Sequence, residues 1–149
     1  MPVADDLPYL VFISHSSADL WVARQIASHV ERCGAKSFLD EAQIAVGADF
    51  DEEIRSALEQ ANELLVLLTP WSLGRPYIWA EAGLAWGRRL PIIGLLHGVT
   101  AAELRARPEV PLFLKQRDLL DLNRIGVHLK ELRQPAGSLP AASDGRLDD

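Results

Sequence analysis

The chain has 149 residues, of which 48% are apolar and 24% charged, the proportions of an ordinary globular protein. That length suits a single domain able to bury roughly 70% of its unfolded surface, with no need of a disulfide or metal staple. Lys and Arg total 15 against 21 Asp and Glu, a net charge of −6, which excludes a general nucleic-acid binder but not a small anionic ligand held locally.

Residues 9–14, Y-L-V-F-I-S, are apolar without alternation and read as a strand covered on both faces. His15, Ser16 and Ser17 break it. Asp19 then opens a helix to about Cys33, as capping residue or first-turn acid. Leu20, Ala23, Ile26, Ala27 and Val30 form its apolar stripe, and Gly34 stops it. A short strand over 36–39 ends at Asp40, and a loop over 41–48 follows. Asp49 and Glu52 have capping-box spacing before a helix with Phe50, Ile54, Ala57, Leu58 and Ala61 on one face. Residues 64–69 read as a central strand and 70–75 as a turn-rich loop. Pro76 suits the first turn of a helix to about Arg88. A strand over 90–96, a helix over 101–106 capped by Thr100, a strand over 117–122 and a helix from Asn123 to about Leu132 complete the pattern.

Strands alternating with helices predict a parallel sheet covered on both faces. Right-handed crossovers limit it to a flavodoxin-like or Rossmann-like topology, with ligands beyond the C-terminal strand ends. That edge holds residues 14–17, 40–47, 69–75 and 97–100. Residues 1–133 form the expected domain. From Gln134 the composition shifts to Pro, Ala, Gly, Ser and Asp, and 134–149 is expected to be a flexible tail.

Several chemistries are missing. No glycine-rich phosphate cradle occurs, no nucleophile elbow is present, and the four histidines lie too far apart in sequence for a metal site. One cysteine, Cys33, permits no internal disulfide, points to a reducing compartment and reads as a structural thiol. The apolar runs 64–68 and 90–96 are too short to span a bilayer. The first eight residues lack the order of a signal peptide. A cytoplasmic protein with no membrane and no nucleic-acid partner is expected.

The informative segment is 72–87, S-L-G-R-P-Y-I-W-A-E-A-G-L-A-W-G. Glu81 sits in a helix otherwise filled with apolar and small residues, and Tyr77 lies one turn before it on the same face. Spacing leaves two readings open: a partly desolvated carboxylate with a partner or a task, or a residue facing solvent at the apolar margin. Trp79 faces elsewhere and reads as packing. Gly83 and Gly87 read as close packing of their helix on the sheet, Arg88 and Arg89 as favourable to its dipole. His15 suits a phosphate or adenine contact, or equally a local hydrogen bond. Asp40 ends a strand at the ligand edge. The R-P-E at 107–109 suggests no mechanism.

The segment 9–19, Y-L-V-F-I-S-H-S-S-A-D, resembles the opening box of TIR domains. The stretch from Asp40 through Gly47 into D-F-D-E-E-I-R-S-A-L resembles their second region. L-L-V-L-L-T-P-W-S with the Glu81 helix resembles the third in its bacterial form, and L-D-L-N-R-I-G-V-H-L-K-E-L the last strand and helix. The likeness runs from about Pro8 to Arg133. It implies an α/β, flavodoxin-like three-layer fold with about five parallel strands.

It also implies an NAD+ glycohydrolase or cyclase with NAD+ as substrate and no cofactor or metal, similar to stand-alone antiphage-defence TIR proteins. Carried over, Glu81 matches the family's catalytic glutamate. Tyr77 stands where the family's tryptophan does. Ser14 and His15 would line the pocket from the first loop, and Trp71 and Ser72 would sit at its far wall; Asp40 is a candidate substrate contact from its place at the ligand edge rather than from the resemblance. The loop 40–47 would gate the pocket and make subunit contacts in a homo-oligomer, with Val46-Gly47 in place of the usual Pro-Gly. The rival readings are a non-catalytic TIR–TIR interaction module and a nucleoside deoxyribosyltransferase-like enzyme.

Overall fold

Apolar runs buried on both faces form the middle of a five-stranded parallel sheet in the order β2-β1-β3-β4-β5. Its strands are β1 Leu10–Ser14, β2 Lys36–Leu39, β3 Glu63–Leu68, β4 Ile92–Leu96 and β5 Asp118–Asp121. The computed structural model describes residues 9–39, 50–115 and 118–132. Asp40, the loop 40–47, Asp49 and the tail 134–149 lie outside the described residues.

Successive side chains in a strand point to opposite faces, and two cores follow from that. Phe12, Leu64, Val66, Leu68, Ile92 and Leu96 face one way. They meet Ile54 and Leu58 of helix α2 (Phe50–Gln60), Ile78, Ala82 and Ala85 of α3 (Pro76–Gly87), Leu104 of α4 (Ala101–Arg105) and Leu114 of α5 (Leu112–Lys115). Val11, Ile13, Leu65, Leu67, Ile93 and Leu95 face the other way. They meet Ala23, Ile26, Ala27 and Val30 of α1 (Leu20–Arg32) and Leu129 of α6 (Ile125–Leu132). The result is the three-layer flavodoxin-like α/β fold expected from the sequence. Each fully buried Leu or Ile contributes about 1.5–3 kcal/mol.

The boundaries differ in places. Ser17–Asp19 is a separate 3-10 turn before α1. The short helix α5 was not legible in the sequence, and Leu122–Arg124 is a 3-10 turn ahead of α6. Gly34 stops α1 as expected, at φ +96°, with Ala35 N–H donating to the Val30 carbonyl at 3.3 Å and Gly34 N–H to that of Glu31 at 3.1 Å. Helix α3 ends the same way, but there Arg89 takes the left-handed position at φ 62°. Arg88 donates to the Leu58 carbonyl, so its charge serves the end of α2 rather than its own helix. A Cβ on Gly83 or Gly87 would meet nothing within 4 Å, so close packing on the sheet does not explain them. Arg107 and Glu109 form an exposed ion pair at 2.7 Å.

At the N-terminal edge, the Tyr9 hydroxyl donates to Glu63 Oε1 at 3.0 Å. His128 Nε2 stands 2.6 Å from Glu63 Oε2, tying α6 to the start of β3. Burial, then the charge of Glu63 and its hydrogen bond, push the Tyr9 phenol well above its ordinary range. Among the described residues, no helix is long and apolar enough to cross a membrane.

Candidate active site

The strand order reverses direction beside β1, whose neighbours are β2 and β3. In open α/β sheets, ligand crevices form beyond the C-terminal ends of strands at such a switch point. Two segments meet there: the loop after β1, and the turn from Thr69 to Gly74 that leads into α3. Pro76 opens α3, and its ring holds the preceding Arg75 extended, at φ −102° and ψ 113°. Leu73 is buried and pins the turn to the core.

Helix α3 carries Tyr77 and Glu81 on the face turned toward β1. Ser14 shares the facing of Phe12 and therefore points at α3. Its hydroxyl donates to Glu81 Oε1 at 2.5 Å, a short bond of the kind a carboxylate accepts. Glu81 is only 2% exposed, which rules out the solvent-facing reading. One turn earlier, the Tyr77 hydroxyl donates to the His15 backbone carbonyl at 3.0 Å. The His15 ring is 1% exposed, with Nδ1 2.8 Å from the Ser16 carbonyl oxygen. Ser14, His15, Tyr77 and Glu81 are thus joined by hydrogen bonds across β1 and α3.

A second network lies beside the first. The Asp19 carboxylate, 4% exposed, accepts from the Ser16 hydroxyl at 2.6 Å and from the Thr69 hydroxyl at 2.6 Å, both on Oδ2. It makes no side-chain capping bond to α1. The expected capping residue is instead a buried bridge between the two segments of the crevice. Thr69 Oγ1 in turn accepts from the backbone N–H groups of Trp71 at 3.2 Å and Ser72 at 3.1 Å. The Ser72 hydroxyl accepts from Thr69 N–H at 2.9 Å and donates to the Thr69 carbonyl at 3.3 Å. Ser72 is therefore committed to the turn, while the Trp71 side chain stands 58% exposed on it. Trp79 packs against the α3-side core.

Thr69 was not singled out from the sequence, although it fell within the ligand-edge segment. Its place directly after β3, opposite the loop after β1, was the available signal. An open hollow of about 620 Å³ lined by Trp86, Gly87, Arg89, Leu90 and Pro91 lies at the far end of α3 and holds none of these groups.

The TIR domain family pattern matches residues 11–133. Among solved structures, the TIR domain of the Toll-related receptor TRR-2 from Hydra magnipapillata is 27% identical with a TM-score of 0.57, covering 79% of this chain and 87% of that one. A prokaryotic SEFIR domain is 20% identical with a TM-score of 0.55, covering 93% and 100%. The TIR domains of the activated Roq1 resistosome, which recognises the pathogen effector XopQ, are 16% identical with a TM-score of 0.56, covering 84% and 78%. The last two likenesses are of fold alone. No curated protein matches the chain.

Proposed function

The chain belongs to the TIR domain family, and from that membership we propose that it cleaves NAD+ at the nicotinamide–ribose bond, with Glu81 as the catalytic carboxylate. The observation that carries this reading is a carboxylate 2% exposed at the sheet's switch point, held by the Ser14 hydroxyl at 2.5 Å. Burial of such a group is costly without a task or a partner.

The chemistry suits a single carboxylate. The bond from ribose C1′ to the pyridinium nitrogen breaks, its electron pair stays on nitrogen, and nicotinamide leaves neutral. No general acid is needed. The ribosyl group left behind has oxocarbenium character, and a fixed negative charge beside it lowers the barrier. Such preorganised groups are worth about 10²–10³ in rate. Water then adds at C1′ and releases a proton to solvent, giving ADP-ribose. Attack by a nitrogen of the ligand's own adenine gives a cyclic isomer.

Ser14 orients Glu81, and Tyr77 fixes the loop that carries His15. Trp71 offers an exposed aromatic face at the rim. Asp40 and the loop 40–47 complete the proposal as a ligand contact and a subunit contact in a homo-oligomer. The biological role proposed is NAD+ depletion or signal production in bacterial immunity, in the cytoplasm.

The test is nicotinamide release from NAD+ by concentrated protein, wild type beside Glu81→Ala. The expected result is release that rises more steeply than protein concentration and is abolished in the variant. Release surviving in Glu81→Ala assigns the chemistry elsewhere. One observation favours the second reading, a non-catalytic TIR–TIR module: at 2% exposure, Glu81 must rotate before a ribose reaches it. No release at any protein concentration, with or without a crowding agent, establishes that reading.

A further inference from the structure

The hollow of about 620 Å³ at the far end of α3 is lined by Trp86, Gly87, Arg89, Leu90 and Pro91. Three of these residues have features that the fold does not explain. Trp86 stands 49% exposed. Its ring lies 5.0 Å from that of Phe113 at an interplanar angle of 18°, so Phe113 backs one indole face and leaves the other uncovered by it. Phe113 in turn packs against the core. A Cβ on Gly87 would meet nothing within 4 Å, and the bare glycine leaves the hollow unfilled. Arg89 holds a left-handed backbone at φ 62°, where the end of α1 uses Gly34 at φ +96°. A side chain kept where glycine is favoured costs stability, and such strain collects at functional positions.

Arg89 is the cation of the hollow. Arg88 is turned away from it, donating to the Leu58 carbonyl at the end of α2. Among the described residues, no ion pair holds the Arg89 guanidinium. The backbone around it is fixed. Arg89 N–H donates to the Trp86 carbonyl at 3.0 Å, Leu90 N–H to that of Ala85 at 3.0 Å, and the Pro91 carbonyl accepts from Leu64 N–H of β3 at 2.9 Å. An aromatic face and a guanidinium, held close together on such a frame, suit a ligand that is flat at one end and anionic at the other.

We propose that this hollow binds a nucleoside monophosphate, its base stacked on Trp86 and its phosphate on the Arg89 guanidinium. Stacking on an aromatic side chain tolerates any base, and a guanidinium grips a phosphate through paired N–H donors. The volume falls in the range of small-molecule sites, about 300–1,000 Å³. A nucleic-acid strand does not match the same features, because one cation on a chain of net charge −6 cannot neutralise a run of phosphates. The hollow is separate from the Glu81 crevice, and the proposal does not depend on NAD+ cleavage.

The probe is AMP, titrated into nitrogen-labelled protein while the indole N–H and arginine Nε–H resonances are followed by NMR. Trp86→Phe, Trp71→Phe and Arg89→Lys assign the signals. The expected result is saturable movement of the Trp86 and Arg89 signals together, half-complete at about 0.1–1 mM, with Trp71 unmoved. Adenosine and inorganic phosphate should each bind about tenfold more weakly than AMP. Trp86→Leu should weaken AMP binding about tenfold. Arg89→Gly should do the same while melting higher than wild type, so that its lost affinity cannot come from unfolding. Wild-type affinity in Arg89→Gly, or adenosine as tight as AMP, overturns the phosphate contact and the proposal with it. Inorganic phosphate as tight as AMP overturns the stacking on Trp86. Movement of Trp71 without Trp86 puts the nucleotide in the Glu81 crevice and overturns the new site. A Trp86 signal that shifts with protein concentration and not with AMP overturns it in favour of a second copy of the chain.

Discussion

Replacing Asp19 by alanine takes the shared acceptor from two hydroxyls at once. Ser16 and Thr69 each donate to Oδ2 at 2.6 Å, and hydrogen bonds to a charged group are worth about 1.5–3 kcal/mol each. Removing the buried charge also removes its desolvation cost, which offsets part of the loss. Thr69 Oγ1 keeps its two backbone donors, yet its own proton loses its acceptor. The balance is a destabilisation of about 3–5 kcal/mol, a large share of the 5–15 kcal/mol typical of a domain. At about 2–4 °C per kcal/mol for a chain of this size, Tm falls by about 6–20 °C. Asp19→Asn retains an oxygen acceptor and should lose only about 1–2 kcal/mol. The assay is urea unfolding followed by two probes, with Thr69→Val and the double variant completing a cycle. A coupling of about 1.5–3 kcal/mol between the two sites is expected. Loss under about 1 kcal/mol in Asp19→Ala, or a coupling near zero, refutes the bridge and returns Asp19 to a simple helix-start role.

Tyr9 should contribute a loss of stability at alkaline pH. The folded state holds the phenol proton above its ordinary range, whereas an unfolded tyrosine sheds it from about pH 10. The raised folded value means the contribution is full below about pH 10 and is lost as pH climbs toward the folded value. Unfolding by urea across that range should show the decline in wild type and a shallower one in Tyr9→Phe; parallel slopes contradict the Tyr9–Glu63 contact. Arg89 occupies the left-handed position after α3 at φ 62°, where a side chain is disfavoured. Arg89→Gly should therefore stabilise the fold by about 1 kcal/mol in thermal melts, and destabilisation contradicts that reading.

The strands were legible because β1, β3 and β4 lie in the middle of a parallel sheet, where burial on both faces removes the alternation that marks an exposed strand. Glu81 stood out because a carboxylate among apolar and small helix residues breaks the local pattern, and Tyr77 followed from helical spacing. Asp19 stands at the start of α1 as expected, but its bridge to Thr69 was hidden for a physical reason. Acceptors at a helix start look alike in sequence whether they cap their own backbone or bridge to another strand, and only the pairing of β1 with β3 brings Thr69 to it. Arg88 and Arg89 show the same limit. Their charges suit a helix C-terminus, but Arg88 reaches the end of α2 rather than its own, a matter of tertiary packing. Gly83 and Gly87 suggested close approach, and the open space around them leaves no such reason. The short helix Leu112–Lys115 spans too few residues to show a period.

The most direct test of the central claim is nicotinamide release by Glu81→Gln beside wild type at equal, high protein concentration. Gln keeps the shape and an oxygen acceptor for the Ser14 hydroxyl, and replaces the charged carboxylate by a neutral amide. The account predicts that release falls by about 10²–10³ while NAD+ still binds and the protein remains folded by circular dichroism. Release within about tenfold of wild type contradicts the proposal that the carboxylate's charge carries the chemistry.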